Sequence, residues 1–419
     1  MRKPVSFRLV LGIKKCGEGP EEQWPIELRL PLFDPKARNP AVLLNAILCC
    51  LALLSLILTL WQWLVARRFP LHKQLPIGKT FPAVTLLKPL KGCDESTEAC
   101  LRSWLAQQYP GALQILFAVA SAQDPVCELV RSLLREFPKI DAQLVVCGPL
   151  SGNNLKVSKL MQLEPQVKYE INGVSDADVR VPPEFLTNTA PSLEDSRVGL
   201  VNCFYRLENP GSSAMWWEAV AINSDFWSQV LQSKSLKPLN FALGAVMLTR
   251  RQQLREIGGF AALADCLADD YQLGRRIAEQ GHEIVLSPVV VECWSAPMGW
   301  KAVWKHQLRW ARTIRVCQPA PYFFSILSNA TLWPVLWICF SPTKPVLMFA
   351  VTCALVRIVS AVDLQNRLTR RRAPVWYPIY VLLKDLLQVA IWLLAFLGNR
   401  IEWRGELMRL RADGTLVRN

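Results

Sequence analysis

The chain has 419 residues, 51% of them hydrophobic and 16 of them Trp, with a mean hydropathy of +0.19. That length holds a full enzyme core, and that hydropathy excludes a water-soluble domain standing alone: the chain divides between water and lipid. The formal charge of +14 calls for anionic surroundings, phospholipid headgroups or nucleotide phosphates, while membrane segments hold the chain away from nucleic acid.

Residues 1–40 are polar, mixed in charge and rich in Pro and Gly, and predict a loosely ordered extension. From Ala41 to Leu64 the chain is almost wholly apolar, long enough to cross a bilayer at about 20 residues per span. No cleavage site of small residues follows; Ala66-Arg67-Arg68 does, so residues 41–66 predict a retained transmembrane anchor. Arg67, Arg68, Lys73 and Lys79 crowd its downstream end and place the next domain on the cytosolic side.

Residues 80–299 carry short apolar runs suited to buried strands: Ala83–Leu87, Leu113–Ala120, Ala142–Cys147, Val198–Phe204 and Phe241–Thr249. Helix-length stretches, Ser96–Gln108 and Pro125–Phe137 among them, lie between. The alternation predicts an α/β domain with a mostly parallel sheet covered by helices on both faces, and a ligand site beyond the carboxyl ends of the strands. Thirteen cysteines are scattered with no paired CxxC and no His/Cys cluster, as in a reduced cytosolic domain without a zinc site.

Within this domain, Lys88-Pro89-Leu90-Lys91-Gly92-Cys93-Asp94-Glu95 follows the first strand and places Lys88 and Asp94 at the carboxyl edge of the sheet. Ser151-Gly152-Asn153-Asn154-Leu155-Lys156 is a turn-rich loop whose Lys156 is in reach of a nucleotide phosphate. Each also fits an ordinary strand-to-helix loop. In Ser175-Asp176-Ala177-Asp178 alternate residues at a strand end project to one side, so Asp176 and Asp178 present two carboxylates together. Such a pair holds a hard divalent cation, Mg2+ or Mn2+, against a diphosphate; a solvated turn with an Asx cap has the same spelling. Ala268-Asp269-Asp270 opens a helical stretch. Asp270 there is either a charge favouring the helix N-terminus or a general base.

Residues 300–320 predict an interfacial helix. Trp300, Val303, Trp304, Leu308, Ala311 and Ile314 make an apolar stripe, and Lys301, Lys305, Arg309 and Arg312 a basic one. Gln307 and Trp310, three apart, wall an acceptor site in this reading, and Arg309 approaches the diphosphate. Residues 321–398 predict further transmembrane helices over Tyr322–Phe340, Val346–Val362 and Val375–Leu397, the last broken by Lys384-Asp385. Arg367, Arg370, Arg371 and Arg372 mark a cytosolic loop. Counting spans from there sends the basic tail, 399–419, to the far side, against the charge of Arg400, Arg404, Arg409 and Arg411. A re-entrant last segment, or a first one lying flat, removes the conflict.

Taken in order, Lys-Gly-Cys-Asp, Ser-Asp-Ala-Asp-Val-Arg-Val, Ala-Asp-Asp-Tyr and Gln-Leu-Arg-Trp resemble the ceramide glucosyltransferase family, with the similarity extending over roughly residues 41–415 to the tail segment around Glu402 and Trp403. The resemblance implies a GT-A catalytic domain, a UDP-sugar donor and a lipid acceptor, ceramide first. It makes Asp94 a nucleotide contact, Asp176 and Asp178 the donor and metal ligands and Asp270 the base, with Gln307, Arg309 and Trp310 completing the acceptor and diphosphate site. Residues 1–40 have no counterpart in the family, and the second Asp of Asp-Ala-Asp is closer to bacterial members than to animal ones. That departure places the expected multi-pass protein in the bacterial inner membrane and makes a hopanoid polyol accepting N-acetylglucosamine the alternative to ceramide. A processive polysaccharide synthase shares Asp-x-Asp and Gln-x-x-Arg-Trp but needs more spans than the about four here. A transporter or inactive scaffold accounts for the hydropathy but not for the ordered acids.

Overall fold

A computed structural model describes residues 40–74, 80–403 and 406–418. The polar extension expected before Pro40, with Lys79 and Arg404 of the basic clusters, lies outside them. The first element, α1 (Pro40–Arg68), has apolar residues on every face, as a helix surrounded by lipid requires.

The catalytic unit follows. It begins β1 (Val84–Pro89), α2 (Thr97–Leu105), β2 (Leu113–Val119), α3 (Val126–Glu136), β3 (Asp141–Val146) and α4 (Leu155–Leu163). Next come β4 (Ile171–Ser175), the two-residue β5 (Val179–Arg180), α5 (Phe185–Thr189) and β6 (Val198–Leu207). A helix then runs as α6 (Ser213–Val220), a π-helical turn over Ala221–Phe226, and α7 (Trp227–Leu236). The unit closes with β7 (Val246–Arg250), α8 (Arg251–Glu256), α9 (Asp269–Glu279) and β8 (Glu283–Cys293).

The eight strands are ordered β3-β2-β1-β4-β7-β6-β8-β5. The first four are mutually parallel. β7 enters antiparallel between β4 and β6, β6 and β8 are parallel, and β5 runs antiparallel on β8. The sheet is therefore mixed rather than mostly parallel, because hydrophobic period encodes which faces are buried and not which way a strand points. Every residue of β1 is buried. Successive side chains feed opposite faces, Leu86 joining Trp104 and Phe117 on one side and Leu87 joining Phe204 and Trp227 on the other. The segment expected as a strand from Phe241 is one only from Val246.

After β8 the chain leaves the sheet as α10 (Trp300–Cys317), α11 (Pro319–Phe324), α12 (Leu332–Phe340), α13 (Lys344–Thr369) and α14 (Tyr377–Phe396). Three helices are long and apolar enough to cross a membrane, α1, α13 and α14. The expected span over Tyr322–Phe340 is instead a broken one, residues 319–328 and 332–340 meeting at 53°. α1, α12 and α13 run alongside one another. At one end Trp337 Nε1 donates to Asn45 Oδ1 at 2.8 Å. Toward the other, Trp63 Nε1 donates to Asp363 Oδ2 at 2.7 Å, and Arg367 donates to the Arg67 carbonyl at 3.0 Å.

α14 behaves differently. Its Tyr377 hydroxyl meets Ser224 Oγ of the π-helical turn at 2.7 Å, and near its other end Trp392 Nε1 donates to the Tyr322 carbonyl at 3.0 Å. One end thus rests on the π-helical turn and the other on α11. Lys384 and Asp385 do not break it; the helix runs through them, and both are buried in an ion network. Arg357 of α13 donates to Asp385 at 2.8 and 2.9 Å and to Asp225 at 3.0 Å, Lys384 pairs with Asp225, and Thr331 donates to Asp385 at 2.7 Å.

The chain ends in a second, antiparallel sheet, β9 (Arg400–Trp403), β10 (Glu406–Leu410) and β11 (Leu416–Arg418). Its backbone is stitched to the catalytic unit: Leu416 N donates to Asp265 O at 2.7 Å and Leu267 N to Gly414 O at 3.2 Å. The tail thus lies beside the catalytic unit. The span count that sent it to the far side treated α14 as a crossing; these hydrogen bonds keep the tail against the Asp265–Leu267 segment.

Candidate active site

Asp176 and Asp178 leave the carboxyl end of β4, where the sheet opens. Asp176 N donates to the Ala245 carbonyl at 3.2 Å, and Trp294 N to the Asp178 carbonyl at 2.9 Å, so the turn is held from both sides. Beneath it lies Lys88. This side chain is fully buried in β1, with Nζ donating to the Asp176 carbonyl at 2.7 Å and to Ser175 Oγ at 3.2 Å. Burial lowers the Lys88 ammonium to about 8. Lys88 was expected to bind the donor directly; its position makes it the prop of the Asp-x-Asp turn.

Lys156 closes the cluster. Its Nζ stands 2.8 Å from Asp176 Oδ1 and 2.9 Å from Asp269 Oδ2. Burial alone would depress this ammonium, but Asp176 and Asp269 outweigh it and hold Lys156 above its ordinary range. Asn154 sets the geometry. Its side chain caps α4, accepting from Lys156 N and Val157 N, while Nδ2 donates to the Cys266 carbonyl at 2.8 Å and reaches Asp269 Oδ1 at 3.3 Å. The Ser151–Lys156 loop and the start of α9 are one unit.

Asp270 follows in the first turn of α9. A Cβ on Gly244 would come within 2.5 Å of Asp270 Oδ2, so the glycine leaves the carboxylate its place. Burial, then the Asp269 charge, push the Asp270 carboxyl up to about 6. Loss of hydration in the recess, then the Asp176 charge, do the same to Asp178, also to about 6. Asp176 and Asp178 bring two negative charges together at the end of β4. Their hard oxygens suit a divalent cation, and Lys156 is the cation that balances Asp176 here. Among the described residues no three His, Cys, Asp or Glu side chains form a metal site by themselves.

On the membrane side, Gln307 of α10 is buried and donates to Glu218 Oε1 of α6 at 2.9 Å. His306 Nδ1 meets the same oxygen at 2.6 Å. Trp310 lies with its ring centroid 4.8 Å from that of His306 and 6.5 Å from Phe226, which in turn is 5.5 Å from Tyr205. An aromatic path therefore joins α10 to the sheet. Tyr271, next to Asp270, donates to the Cys317 carbonyl at 2.8 Å and ties α9 to the end of α10.

Two expected residues stand apart. Asp94 Oδ1 accepts from Ser96 N, Ser96 Oγ and Thr97 Oγ1 at 3.0, 2.8 and 2.8 Å, which is the work of a residue opening α2. Arg309 faces a cavity between α10 and the C-terminal sheet. Asn154, Asp269, Glu218, His306 and Gly244 were not singled out from the sequence. The Asn of a turn-rich loop and the doubled Asp were visible signals; the buried Glu218 gave none.

The chain matches the family described as Glycosyl transferase family 21 over residues 47–416. Ceramide glucosyltransferase 3 of Caenorhabditis elegans is 21% identical over 370 residues, 84% of this chain and 77% of that one. Ceramide glucosyltransferase 1 of the same organism is 24% identical, over 52% of this chain and 47% of that one. Beta-monoglucosyldiacylglycerol synthase of Nostoc sp. is 24% identical over 316 residues, 74% of this chain and 64% of that one. Among solved structures, the mannosyltransferase PcManGT from Pyrobaculum calidifontis, in complex with GDP-Man and Mn2+, aligns with a TM-score of 0.52 and 20% identity, covering 82% of this chain and 99% of that one. The fold is GT-A.

Proposed function

We propose that this chain, which belongs to glycosyl transferase family 21 and is a glycosyltransferase, moves glucose from UDP-glucose to the hydroxyl of a membrane lipid, ceramide, with inversion at the anomeric carbon. The observation that carries the reading is the meeting of Asp176, Lys156, Asp269 and Asp270 in one cluster at the open end of the sheet. The aromatic wall around Trp310 joins that end to an interfacial helix.

The cluster supplies what the reaction needs. Asp270, ionised at neutral pH with its carboxyl lifted to about 6, takes the proton from the acceptor hydroxyl as its oxygen bonds to the anomeric carbon. The bond from that carbon to the diphosphate breaks on the opposite side, and UDP leaves. Asp176 and Asp178 would hold a divalent cation, Mg2+ or Mn2+, whose charge offsets that developing on the leaving diphosphate. Lys156, held between Asp176 and Asp269, would add its positive charge beside the phosphates. Gln307 keeps α10 in place through Glu218, and Trp310 lies along the lipid's approach.

The names of the relatives support two acceptors, ceramide and diacylglycerol, and ceramide agrees with the similarity that extends through the tail. The test is a product assay in detergent: UDP-glucose and UDP-N-acetylglucosamine in parallel, each with ceramide, diacylglycerol or a hopanoid polyol. Glucosylceramide that disappears in Asp270→Asn is the expected result. A glycolipid built on another acceptor would move the substrate assignment, and no glycolipid with any acceptor would overturn the lipid reading.

A further inference from the structure

The C-terminal sheet touches three of the segments that carry the site. On one side it grips α10: Lys305 pairs with Glu402, Arg312 donates to the Arg400 carbonyl and Arg315 to Asn399 Oδ1. Val316 of the same helix packs on the small core formed by Leu267, Ile401, Met408, Leu410 and Leu416. On the other side the sheet continues onto the segment before α9. Cys266 and Thr415 face each other as an antiparallel bridge, flanked by the bonds of Leu416 N to the Asp265 carbonyl and Leu267 N to the Gly414 carbonyl. The third contact is made by a side chain. Asn153 Nδ2 donates to the Leu416 carbonyl at 3.0 Å and to Asp265 Oδ1 at 2.7 Å, and Asn153 N donates to the same carboxylate oxygen at 2.9 Å.

One amide thus joins the loop that ends in Lys156, the segment leading to Asp269 and Asp270, and β11. The loop is shaped for that approach. Gly152 has a φ of +79°, and a Cβ there would stand 2.8 Å from the Ala264 carbonyl oxygen, so a side chain would force the two backbones apart. Asn154 N then donates to that carbonyl at 2.8 Å. Asn153 is half-buried and Asp265 exposed, and at such positions a substitution moves stability little. The chemistry, by contrast, depends on placement: Lys156 Nζ lies 2.8 and 2.9 Å from two carboxylates, and Asp270 follows the second of them in the chain. We propose that the C-terminal sheet is a bracket that sets the Lys156 loop, the start of α9 and the helix α10 in register, with Asn153 and Asp265 as its positioning residues. The proposal rests on the roles given above to Lys156 and Asp270. It makes a tail remote in sequence from both a determinant of the chemical step.

The experiment has two arms, both on the full chain in detergent. The first, hydrogen exchange, uses no substrate. In Asn153→Ala, amide exchange over residues 155–156 and 266–270 should rise at least ~10-fold while the core strands exchange as before. Asp265→Ala should act in the same direction, and Asp265→Asn, whose amide oxygen accepts the same two N–H groups, should restore protection. The double variant Asn153→Ala/Asp265→Ala should fall short of the sum of the two, as expected of residues sharing one contact. The second arm measures transfer with the donor and acceptor that serve the unaltered chain. There kcat should drop at least ~10-fold in Asn153→Ala and Asp265→Ala and recover in Asp265→Asn, with KM for the lipid within about twofold. Unchanged exchange in these segments overturns the proposal whatever sugar and acceptor the enzyme uses, and so does raised exchange with kcat intact. A rise in lipid KM at constant kcat would also overturn it, making the sheet part of the acceptor site. If the unaltered chain transfers no sugar to lipid, the function proposed above fails while the exchange arm still decides the bracket.

Discussion

Asp270 carries opposed demands that a single substitution separates. Its carboxyl is lifted to about 6 by burial and by Asp269, against about 3.9 for an aspartate in an unfolded chain. The folded state therefore binds the extra proton across that window, so this group favours folding below it and opposes folding as pH rises through about 6. Asp270→Asn removes the opposition at neutral pH while deleting the base. Transfer should fall by about 10²–10⁴-fold, with the melting temperature unchanged or higher and donor affinity retained; a lost donor affinity would take Asp270 out of the base role. In the unaltered enzyme, kcat should fall as pH drops through about 6 because the base takes up its proton. Gly244→Ala tests the same carboxylate from the other side. The new Cβ meets the tip of a side chain, Asp270 Oδ2, rather than backbone. Cγ and Cβ of the same side chain lie 3.0 and 3.3 Å from it, so more than the tip must move: stability should fall, and a displaced base costs rate besides, about 10²-fold for a shift near 1 Å. Thermal melts and single-turnover rates of this variant separate the two effects.

At the level of elements, the network of Asp225, Arg357, Lys384 and Asp385 fixes where α14 lies. It joins α13, α14 and the π-helical turn through buried charges that balance one another. Removing one member strands the rest, and such losses cost about 3–5 kcal/mol where the pair is buried. Arg357→Leu should accordingly lower the unfolding midpoint in detergent sharply. Arg357→Leu combined with Asp385→Leu, Lys384→Met and Asp225→Asn, which leaves no buried charge of the four unanswered, should recover part of that loss, and failure to do so would show that the single loss comes from packing rather than from stranded charge. None of this was visible in the sequence beyond Lys384-Asp385 looking like an interruption, because a charged pair inside an apolar run has the same spelling whether it breaks the helix or is answered by another one. The parallel strands β1 to β3 and the helices α2 and α3 were legible, since local period and turn residues specify them. So were Asp-Ala-Asp and Ala-Asp-Asp. What joined them was not: Asn154 and Asp269 are 115 residues apart, Gln307 and Glu218 are 89 apart, and no periodicity links residues across such distances. Lys88 and Asp94 show the reverse failure, loop-edge residues of the right type whose side chains turn to the protein itself.

For the whole molecule, the arrangement of helices reconciles charge with topology. α1, the broken 319–340 segment and α13 share two ends: one near Asn45, Trp337 and Val346, the other near Arg67, Asp363 and Arg367. α14 rests at one end on the π-helical turn and at the other on α11, and β9 to β11 are bonded to the catalytic unit. Three crossings would put Arg67, Arg68, Arg367, Arg370, Arg371 and Arg372, the catalytic unit and the arginines of the tail on one side, which the positive-inside rule would make cytosolic. Four crossings would carry the tail through the bilayer, away from the Asp265–Leu267 segment it is hydrogen-bonded to. The two arrangements differ in one observable. With a membrane-impermeant maleimide on sealed vesicles, and the exposed Cys50, Cys93 and Cys339 replaced, Arg411→Cys in the tail should label from the same side as Glu98→Cys in the catalytic unit. Thr343→Cys, between α12 and α13, should label only from the opposite side. Labelling of position 411 together with 343 would restore α14 as a full crossing. It would also detach the C-terminal sheet from the Asp265–Leu267 segment that leads into Asp269 and Asp270.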